Sequence, residues 1–292
     1  MKYNLLHKTK YTYTNEVKGY HGLACIMPRT DENQSCQSNV ITILPKPDEL
    51  VMRTDMWGNK LHYFSINSPH KELEIRSESF IIKNSYDQIK IKPSITYGEA
   101  LEILKTSVPI KAEVWPFLIQ SPKISWSKNI EKYAAPSFQL ETPLYDCIEN
   151  LSSRIFHDFE FNAKFSDVNT PIEKVLKERK GVCQDFSHLA IACIRSMGIP
   201  ARYISGYIET LPPPGKVKLQ GSDASHAWFS ANIPNVGWFE FDPTNNMVPG
   251  DQHIKTAYGR DYSDVVPVKG VMFTAGGHKL KVEVDLNRII EN

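Results

Sequence analysis

The spacing of apolar residues changes once along the chain, from strand-like alternation in the first hundred residues to a helical repeat after Thr142. The alternating segments are short and separated by turn residues, as at residues 10–14, 61–66 and 73–77. Short strands of this kind, without a helical stripe, predict an antiparallel β-sandwich. Because the sequence of this region holds no cluster of titratable residues, we interpret it as a structural or substrate-presenting module.

Three helices are predicted after this change. The first begins at Thr142, an N-cap residue followed by Pro143, and the second begins at Thr170, where Glu173 completes a capping-box pattern. The third helix has the clearest apolar stripe, and Gly198 marks its end. Its apolar residues follow spacings of 3, 1, 3, 1 and 3: Phe186, Leu189, Ala190, Cys193, Ile194 and Met197.

Further strands are predicted after the third helix, at residues 201–208, 225–233, 237–242 and 280–284. A run of strands, a run of helices and a second run of strands predict the α+β class. The expected division is an N-terminal β domain at residues 1–95, a proline-interrupted connector at 96–140 and a second domain at 141–292.

Composition excludes several classes of protein. Hydrophobic residues make up 41% and charged residues 23%, which is typical of a soluble globular chain. The 34 Lys and Arg nearly balance the 33 Asp and Glu, so we expect neither a nucleic acid nor a membrane surface as partner. No apolar run approaches the roughly 18 residues that span a bilayer, and the first residues lack the apolar stretch of a secretory signal. A cytoplasmic location is therefore expected.

Five cysteines stand at wide spacings without a C-x-x-C pair: Cys25, Cys36, Cys147, Cys183 and Cys193. This pattern argues against a disulfide scaffold and against a zinc ribbon. Cys147 and Cys193 fall within apolar helical stripes, which predicts that both are core residues. Cys183 begins the third helix, where unpaired N–H groups and the helix dipole favour a thiolate. On position alone, a reactive thiol and an inert buried one are equal alternatives for Cys183.

A predicted hairpin brings a histidine and a carboxylate together. His226 lies on its first strand, and the apolar faces of the two strands stay together when Ile233 pairs near Gly237. His226 is then a diagonal neighbour of Asp242, and a slip of two residues would place them directly opposite each other. An imidazole that meets a carboxylate has the arrangement of a general base and the group that orients it. Glu240 lies further along this face, so we expect its replacement by alanine to be nearly silent.

Three motifs, in order along the chain, resemble the transglutaminase-like superfamily core: GVCQDFSHL at 181–189, HAW at 226–228 and FDPT at 241–244. The sequences HKTKY at 7–11 and WGN at 57–59 are similar to the β domain that precedes this core in bacterial transglutaminase-like proteins, and GGH at 276–278 is similar to their C-terminal end. The resemblance implies a papain-like core, with a helix that bears the cysteine packed on an antiparallel sheet. It also implies that Cys183 is the nucleophile, His226 the general base and acid, and Asp242 the orienting residue.

The implied activity is acyl transfer on carboxamide or peptide bonds through a thioester, with a protein or peptide as substrate. The neutral chain has no calcium-type acidic loop, which favours hydrolysis over amine cross-linking and predicts no metal or other cofactor. A non-catalytic binding module of the same fold is the alternative. A third interpretation makes Cys183, His226 and Asp242 metal ligands, but a fourth ligand is missing from the motifs.

Other residues around this site are weaker candidates. The backbone N–H of Cys183 is a candidate oxyanion donor because it opens a helix, and the Gln184 side chain is a candidate for a second donor. Trp228 and Trp238 lie on the face of His226, where they either wall the acyl site or serve as packing. Tyr207 is assigned to the rim of the site by the resemblance alone.

Overall fold

The computed structural model describes residues 1–84, 92–210, 223–274 and 276–289. In these ranges the strands are β1 Lys2–Val17, β2 Tyr20–Ala24, β3 Gln34–Leu44, β4 Glu49–Thr54, β5 Lys60–Ile66, β6 His70–Lys83, β7 Glu160–Phe161, β8 Lys180–Gly181, β9 Ala201–Ile208, β10 Ala224–Ile233, β11 Gly237–Phe241, β12 His253–Gly259, β13 Val268–Met272 and β14 His278–Ile289. The α-helices are α1 Tyr97–Thr106, α2 Val108–Val114, α3 Lys128–Ala134, α4 Leu144–Asp158, α5 Ile172–Glu178 and α6 Cys183–Ser196.

Two antiparallel four-stranded sheets form a β-sandwich, in the orders β14-β1-β6-β3 and β13-β2-β5-β4. Alternate side chains of both sheets point into one core, where Tyr13 and Ile75 of the first sheet join Tyr20 and Phe64 of the second. Burial of this apolar face is what an alternating sequence achieves by forming a sandwich. The predicted N-terminal β-sandwich is confirmed.

A third antiparallel sheet, in the order β11-β10-β9-β12, carries helix α6 on one face. The apolar stripe predicted for this helix is buried, as Phe186, Leu189 and Cys193 show. Asp185 caps the helix, because its carboxylate accepts the backbone N–H of Val182 at 2.8 Å. The α+β class and the packing of the cysteine-bearing helix on an antiparallel sheet are confirmed.

Strand pairing does not follow the expected division of the chain at residue 141. β14 pairs with β1 from Lys2 opposite Ile289 to Tyr13 opposite His278, and β13 pairs with β2. The last strands of the expected second domain therefore complete both sheets of the sandwich. Sequence spacing does not reveal this pairing, because the partners lie at opposite ends of the chain.

The expected connector is helical and packed. Residues of α1 and α3, such as Ala100 and Ile130, lie in the same core as α4 and α6. The capping-box prediction at Thr170 is wrong, because the Thr170 hydroxyl faces Asp167 while the Glu173 carboxylate accepts the Ser127 hydroxyl. In the described part of the chain, no helix combines the length and apolarity needed to cross a membrane.

Candidate active site

The hairpin of β10 and β11 forms in the predicted register. Ile233 lies opposite Gly237, and the pairing continues to Phe229 opposite Phe241. Asp242 follows immediately after β11, and its Oδ2 lies 2.7 Å from Nε2 of His226 on β10. The structure thus contains the predicted contact between imidazole and carboxylate. Of the two predicted registers, it has the one in which His226 and Asp242 are diagonal neighbours, and not the one shifted by two residues.

Asp242 is fully buried, and its carboxylate accepts five hydrogen bonds. Its Oδ2 accepts from His226, from Asn245 Nδ2 at 2.7 Å and from His253 Nε2 at 3.1 Å. Its Oδ1 accepts the backbone N–H groups of Thr244 and Asn245. Burial alone would raise the pKa of this carboxyl, but the hydrogen bonds from both histidines and from Asn245 hold the pKa well below its usual range. Asp242 is therefore a permanent negative charge beneath His226.

His226 is buried between this carboxylate and Cys183. Burial by itself lowers the pKa of His226, but hydrogen bonds to Asp242 and to the Cys183 side chain outweigh it and raise the pKa to about 10. With Nε2 bound to Asp242, Nδ1 is the ring nitrogen left for the thiol. An imidazole in this position can hold the proton that a cysteine gives up.

Cys183 differs from the other cysteines in its surroundings. It is the first residue of the 14-residue helix α6 and is partly exposed. Cys147 and Cys193 are fully buried, which confirms both as core residues. Burial raises the pKa of both thiols, and that of Cys25 to about 12. Of these four, Cys183 is the thiol with both access to solvent and an imidazole partner.

Cys183 and His226 open onto a cleft of about 300 Å³. One side consists of the start of α6 and of the third sheet: Val182, Cys183, Gln184, Tyr203, Ser205, Ser225, His226 and Ala227. The other side consists of β1, β14, the first residue of β13 and the segment before it: His7, Thr9, Tyr11, Tyr262, Pro267, Val268, Leu280 and Val282. The sandwich therefore contributes one wall of the cleft. The sequence alone had left open whether this region is structural or presents the substrate.

The weaker sequence candidates are placed in different ways. Gln184 lines the cleft beside Cys183. Trp228 is fully buried behind His226, with ring centroids 5.9 Å apart and planes at 28°. Trp238 packs on Phe117 and against the Arg202 guanidinium, away from the cleft. For both tryptophans the structure favours the packing alternative over a wall of the acyl site.

Tyr207 is not at the rim. It is buried, and its hydroxyl lies 2.9 Å from Nδ1 of His7, which itself lines the cleft. The expected rim position is therefore corrected. The rim assignment followed family resemblance alone, whereas Tyr207 packs in the core between the sandwich and the third sheet.

Sequence reasoning missed three residues of this region. His253 belongs to β12, a strand that the sequence pattern did not predict, and no local signal connects it to Asp242. The contact of Asn245 with Asp242 could have been predicted from the sequence, since Asn245 lies three residues after Asp242 in a turn. His7 was noted only within a motif, and nothing local indicates that β1 faces the cleft.

Glu240 is more tightly held than expected. Its carboxylate accepts Nε1 of Trp228 at 2.7 Å and pairs with Nζ of Lys255 at 2.5 Å. Lys255 in turn reaches Asp31 of the sandwich at 2.8 Å. Removing one partner of a buried charge pair leaves the other uncompensated, so Glu240→Ala is no longer expected to be silent for stability.

One group of side chains in the described ranges could ligate a metal. The ligand atoms of His226, Asp242 and His253 lie within 4.8 Å of one another, and all three residues are buried. A cation bound there would displace the proton shared by His226 and Asp242. The predicted absence of a metal stays a prediction.

Comparisons with known proteins agree with the motifs. A model of the bacterial transglutaminase-like N-terminal region matches residues 3–81, and a model of the transglutaminase-like superfamily matches residues 131–243. An uncharacterized protein of Mycobacterium tuberculosis is 35% identical over 296 residues, covering 98% of this chain and 92% of its own length. The protein-glutamine gamma-glutamyltransferase of Pseudomonas aeruginosa is 35% identical over 72 residues, which is 24% of this chain and 11% of that protein.

The fold is also similar to that of a solved structure. The crystal structure of "a Putative Cysteine Protease from Cytophaga hutchinsonii" superimposes with a TM-score of 0.77 at 21% identity, covering 100% of this chain and 92% of that chain. At this identity the likeness concerns the fold alone. Matched by both family models and by a relative along nearly its whole length, the chain belongs to the transglutaminase-like superfamily, with the bacterial transglutaminase-like N-terminal region.

Proposed function

We propose that the protein is a cysteine-dependent acyl-transfer enzyme that acts on carboxamide or peptide bonds through a thioester. Family membership supports a cysteine-dependent enzyme in general. The observation that carries the specific proposal is the chain of contacts from the Cys183 thiol through His226 to the buried Asp242, at the edge of an open cleft. This is the arrangement of a nucleophile, a base and an orienting group.

The proposed reaction has two steps. The proton of the Cys183 thiol passes to His226, the sulfur forms a bond to the carbonyl carbon, and the leaving amine takes the proton from His226 as the C–N bond breaks. Water then attacks the thioester, His226 accepts its proton, and Cys183 leaves as the thiol while the acid is released. The N–H of Cys183 at the start of α6 is the proposed first oxyanion donor, and the Gln184 side chain the second.

Hydrolysis is proposed over transfer to an amine. None of the described residues that line the cleft is acidic, so they offer no partner to a lysine ammonium of an acceptor, whereas water needs none. A protein or peptide carrying a carboxamide is the proposed substrate, and the name of the Pseudomonas aeruginosa relative, which refers to protein glutamine, agrees with that class. The cytoplasmic location stays a prediction.

Substitution of the three residues tests the proposal. In single-turnover acylation by an activated ester, Cys183→Ala abolishes thioester formation and His226→Ala comes close to it. Asp242→Asn keeps the shape of the side chain and loses the charge, which lowers the rate about ten- to a thousandfold, or about 1.4–4 kcal/mol of barrier. Trp238→Phe is the control, because its ring packs away from the cleft, and it retains the wild-type rate within about threefold.

The result also separates the alternative. A wild-type protein that forms no thioester with any activated ester, while Cys183 is intact and the chain is folded, would contradict catalysis and favour a non-catalytic binding module. A Cys183→Ala variant that still releases the leaving group would assign the chemistry to another residue.

A further inference from the structure

We infer that the cleft beside Cys183 selects an uncharged acyl group with an apolar or aromatic side chain, and that the paired strands β1 and β14 read that side chain. The inference rests on the proposed function, since it names the substrate class of the same site. It also assigns a role in specificity to the sandwich, whose wall faces the reactive thiol across the cleft.

The wall is a continuous strip on one sheet face. Tyr11 lies opposite Leu280, Thr9 opposite Val282, and His7 is the next member along β1. Alternate residues of a strand share a face, so these five side chains point to the same side of the sheet. Leu280 is 53% exposed and Val282 44% exposed, whereas Thr9 and His7 are buried. The strip therefore runs from an apolar mouth to a closed inner end.

The inner end is polar but uncharged. Nε2 of His7 lies 2.7 Å from the Thr9 hydroxyl, and its Nδ1 lies 2.9 Å from the Tyr207 hydroxyl. Burial lowers the pKa of His7 to about 4, so the ring is neutral near pH 7. Because both ring nitrogens also have hydrogen-bond partners, His7 presents neither a charge nor a free donor to an incoming group.

No unpaired counter-charge is available in the described lining of the cleft. It contains no Asp, Glu, Lys or Arg, and the protonated ring of His226 is already paired with the buried carboxylate of Asp242. A charged acyl side chain would lose hydration on entering and gain no ion pair in return. An apolar side chain instead meets Leu280, Val282 and Val268 on one side and Tyr203 on the other, and it leaves water without any such loss. The chemistry of the walls thus favours apolar groups and rejects both signs of charge.

A series of 4-nitrophenyl esters tests this inference. Cys183 attacks the ester carbonyl, 4-nitrophenolate leaves as the C–O bond breaks, the thiol proton passes to His226, and water then cleaves the thioester. The acyl groups are N-acetylated leucine, phenylalanine, arginine and glutamate. We expect kcat/KM for the leucine and phenylalanine esters to exceed that for the arginine and glutamate esters by about tenfold or more. Equal rates for the leucine and arginine esters, or for the leucine and glutamate esters, would overturn the inference.

Charge substitutions on the strip assign the selection to it. Val282→Glu raises the ratio of the arginine to the glutamate rate about fivefold or more, and Val282→Lys lowers it by a similar factor. The matched controls are Val40→Glu and Val40→Lys, because Val40 is also exposed and lies on β3, the opposite edge strand of the same sheet. These controls leave the ratio within about twofold. Leu280→Glu and Leu280→Lys repeat the test if a Val282 variant does not fold.

The two proposals fail in different ways. 4-Nitrophenyl acetate has no side chain to select, so its acylation of Cys183, detected by mass spectrometry, reports the chemistry alone. Acylation by the acetate together with no preference among the amino-acid esters overturns the inference and leaves the proposed function standing. No acylation by the acetate contradicts the proposed function. If a Val40 variant changes the ratio of the arginine to the glutamate rate as much as the same substitution at Val282 does, the strip is not what selects the acyl group.

Discussion

At the scale of single residues, the carboxylate of Asp242 organises the site. Its Oδ2 accepts hydrogen bonds from His226, His253 and Asn245, and both histidines are buried beside it. Such a charge is stable in the interior only because its acceptor positions are filled. The Cys183 thiol gives its proton to His226, and Asp242 holds His226 in place. The groups that donate hydrogen bonds to Asp242 therefore affect the thiol indirectly.

Cys183 is predicted to alkylate faster than the other cysteines at neutral pH. The pKa of His226, about 10, keeps the imidazole protonated near neutral pH, so the sulfur of Cys183 has a cationic partner. Cys36 has no such partner and a raised pKa, so its rate should increase about tenfold per pH unit.

Iodoacetamide labelling followed by mass spectrometry measures both rates. Slower labelling of Cys183 in His226→Ala would link the reactivity to the imidazole. A wild-type Cys183 that labels no faster than Cys36 at pH 7 would contradict the prediction.

His253 is predicted to be a positioning residue. Burial lowers its pKa, so it is a neutral ring whose Nε2–H donates to Asp242. His253→Phe removes the donor and should lower kcat/KM about five- to tenfold, whereas His253→Gln retains an N–H and should lose less. Because ionised Asp242 loses a donor in the phenylalanine variant and keeps one in the glutamine variant, the difference between the two losses reports the hydrogen bond. Equal losses in both variants would indicate packing alone.

At the scale of elements, Trp228 couples strands β9, β10 and β12 to the site. Its ring stacks behind His226 and meets His253 edge-on, with centroids 5.2 Å apart. Gly206 of β9 makes room for this ring, because a Cβ at that position would lie 2.2 Å from the Ile254 carbonyl oxygen and 2.5 Å from the indole. The position of His226 therefore depends on a glycine in the neighbouring strand.

Gly206→Ala is predicted to destabilise the fold and slow acylation together. The methyl group must displace both β12 and the Trp228 ring, and overpacking of this kind costs about 1–3 kcal/mol. Gly250→Ala is the matched control, because an added Cβ there meets no atom within 4 Å. Urea unfolding and single-turnover acylation measure both effects. A stable Gly206→Ala protein with the wild-type rate would contradict the role of this close contact.

At the scale of the whole molecule, the two ends of the chain form one sheet. β14 lies along β1 for twelve residue pairs, and the same strands form a wall of the cleft. An ion pair also joins the sandwich to the third sheet, since Lys255 of β12 binds Asp31, which lies shortly before β3. We therefore expect the sandwich and the helical core to depend on each other for folding, which the expected division at residue 141 did not provide for.

A fragment of residues 130–292 is predicted not to fold on its own. It lacks β1 and β2, the partners of β14 and β13, and it lacks α1 from the helical core. Urea titration followed by circular dichroism should show no cooperative transition. Co-expression of residues 1–90 with 91–292 keeps every element and should restore the fold through the pairing of β1 with β14. A cooperative transition in the 130–292 fragment alone would contradict this interdependence.

Local patterns account for the parts of the structure that were predicted. Helix α6 follows from a stripe of residues three and four apart, and the hairpin register follows from two alternating faces joined by a short turn. Both patterns act within about twenty residues of chain. They sufficed to predict the contact between His226 and Asp242, and the start of α6 at Cys183.

The tertiary structure alone decided the remaining parts of the site. His253 reaches Asp242 because β12 joins the third sheet beside β9, and His7 reaches the cleft because β1 pairs with a strand from the far end of the chain. These contacts join segments whose order in a sheet is set by long-range packing, on which hydrophobic periodicity carries no information. The sequence by itself thus determined the cysteine-bearing helix and the histidine–aspartate hairpin, and the tertiary structure decided the wall that a substrate would meet.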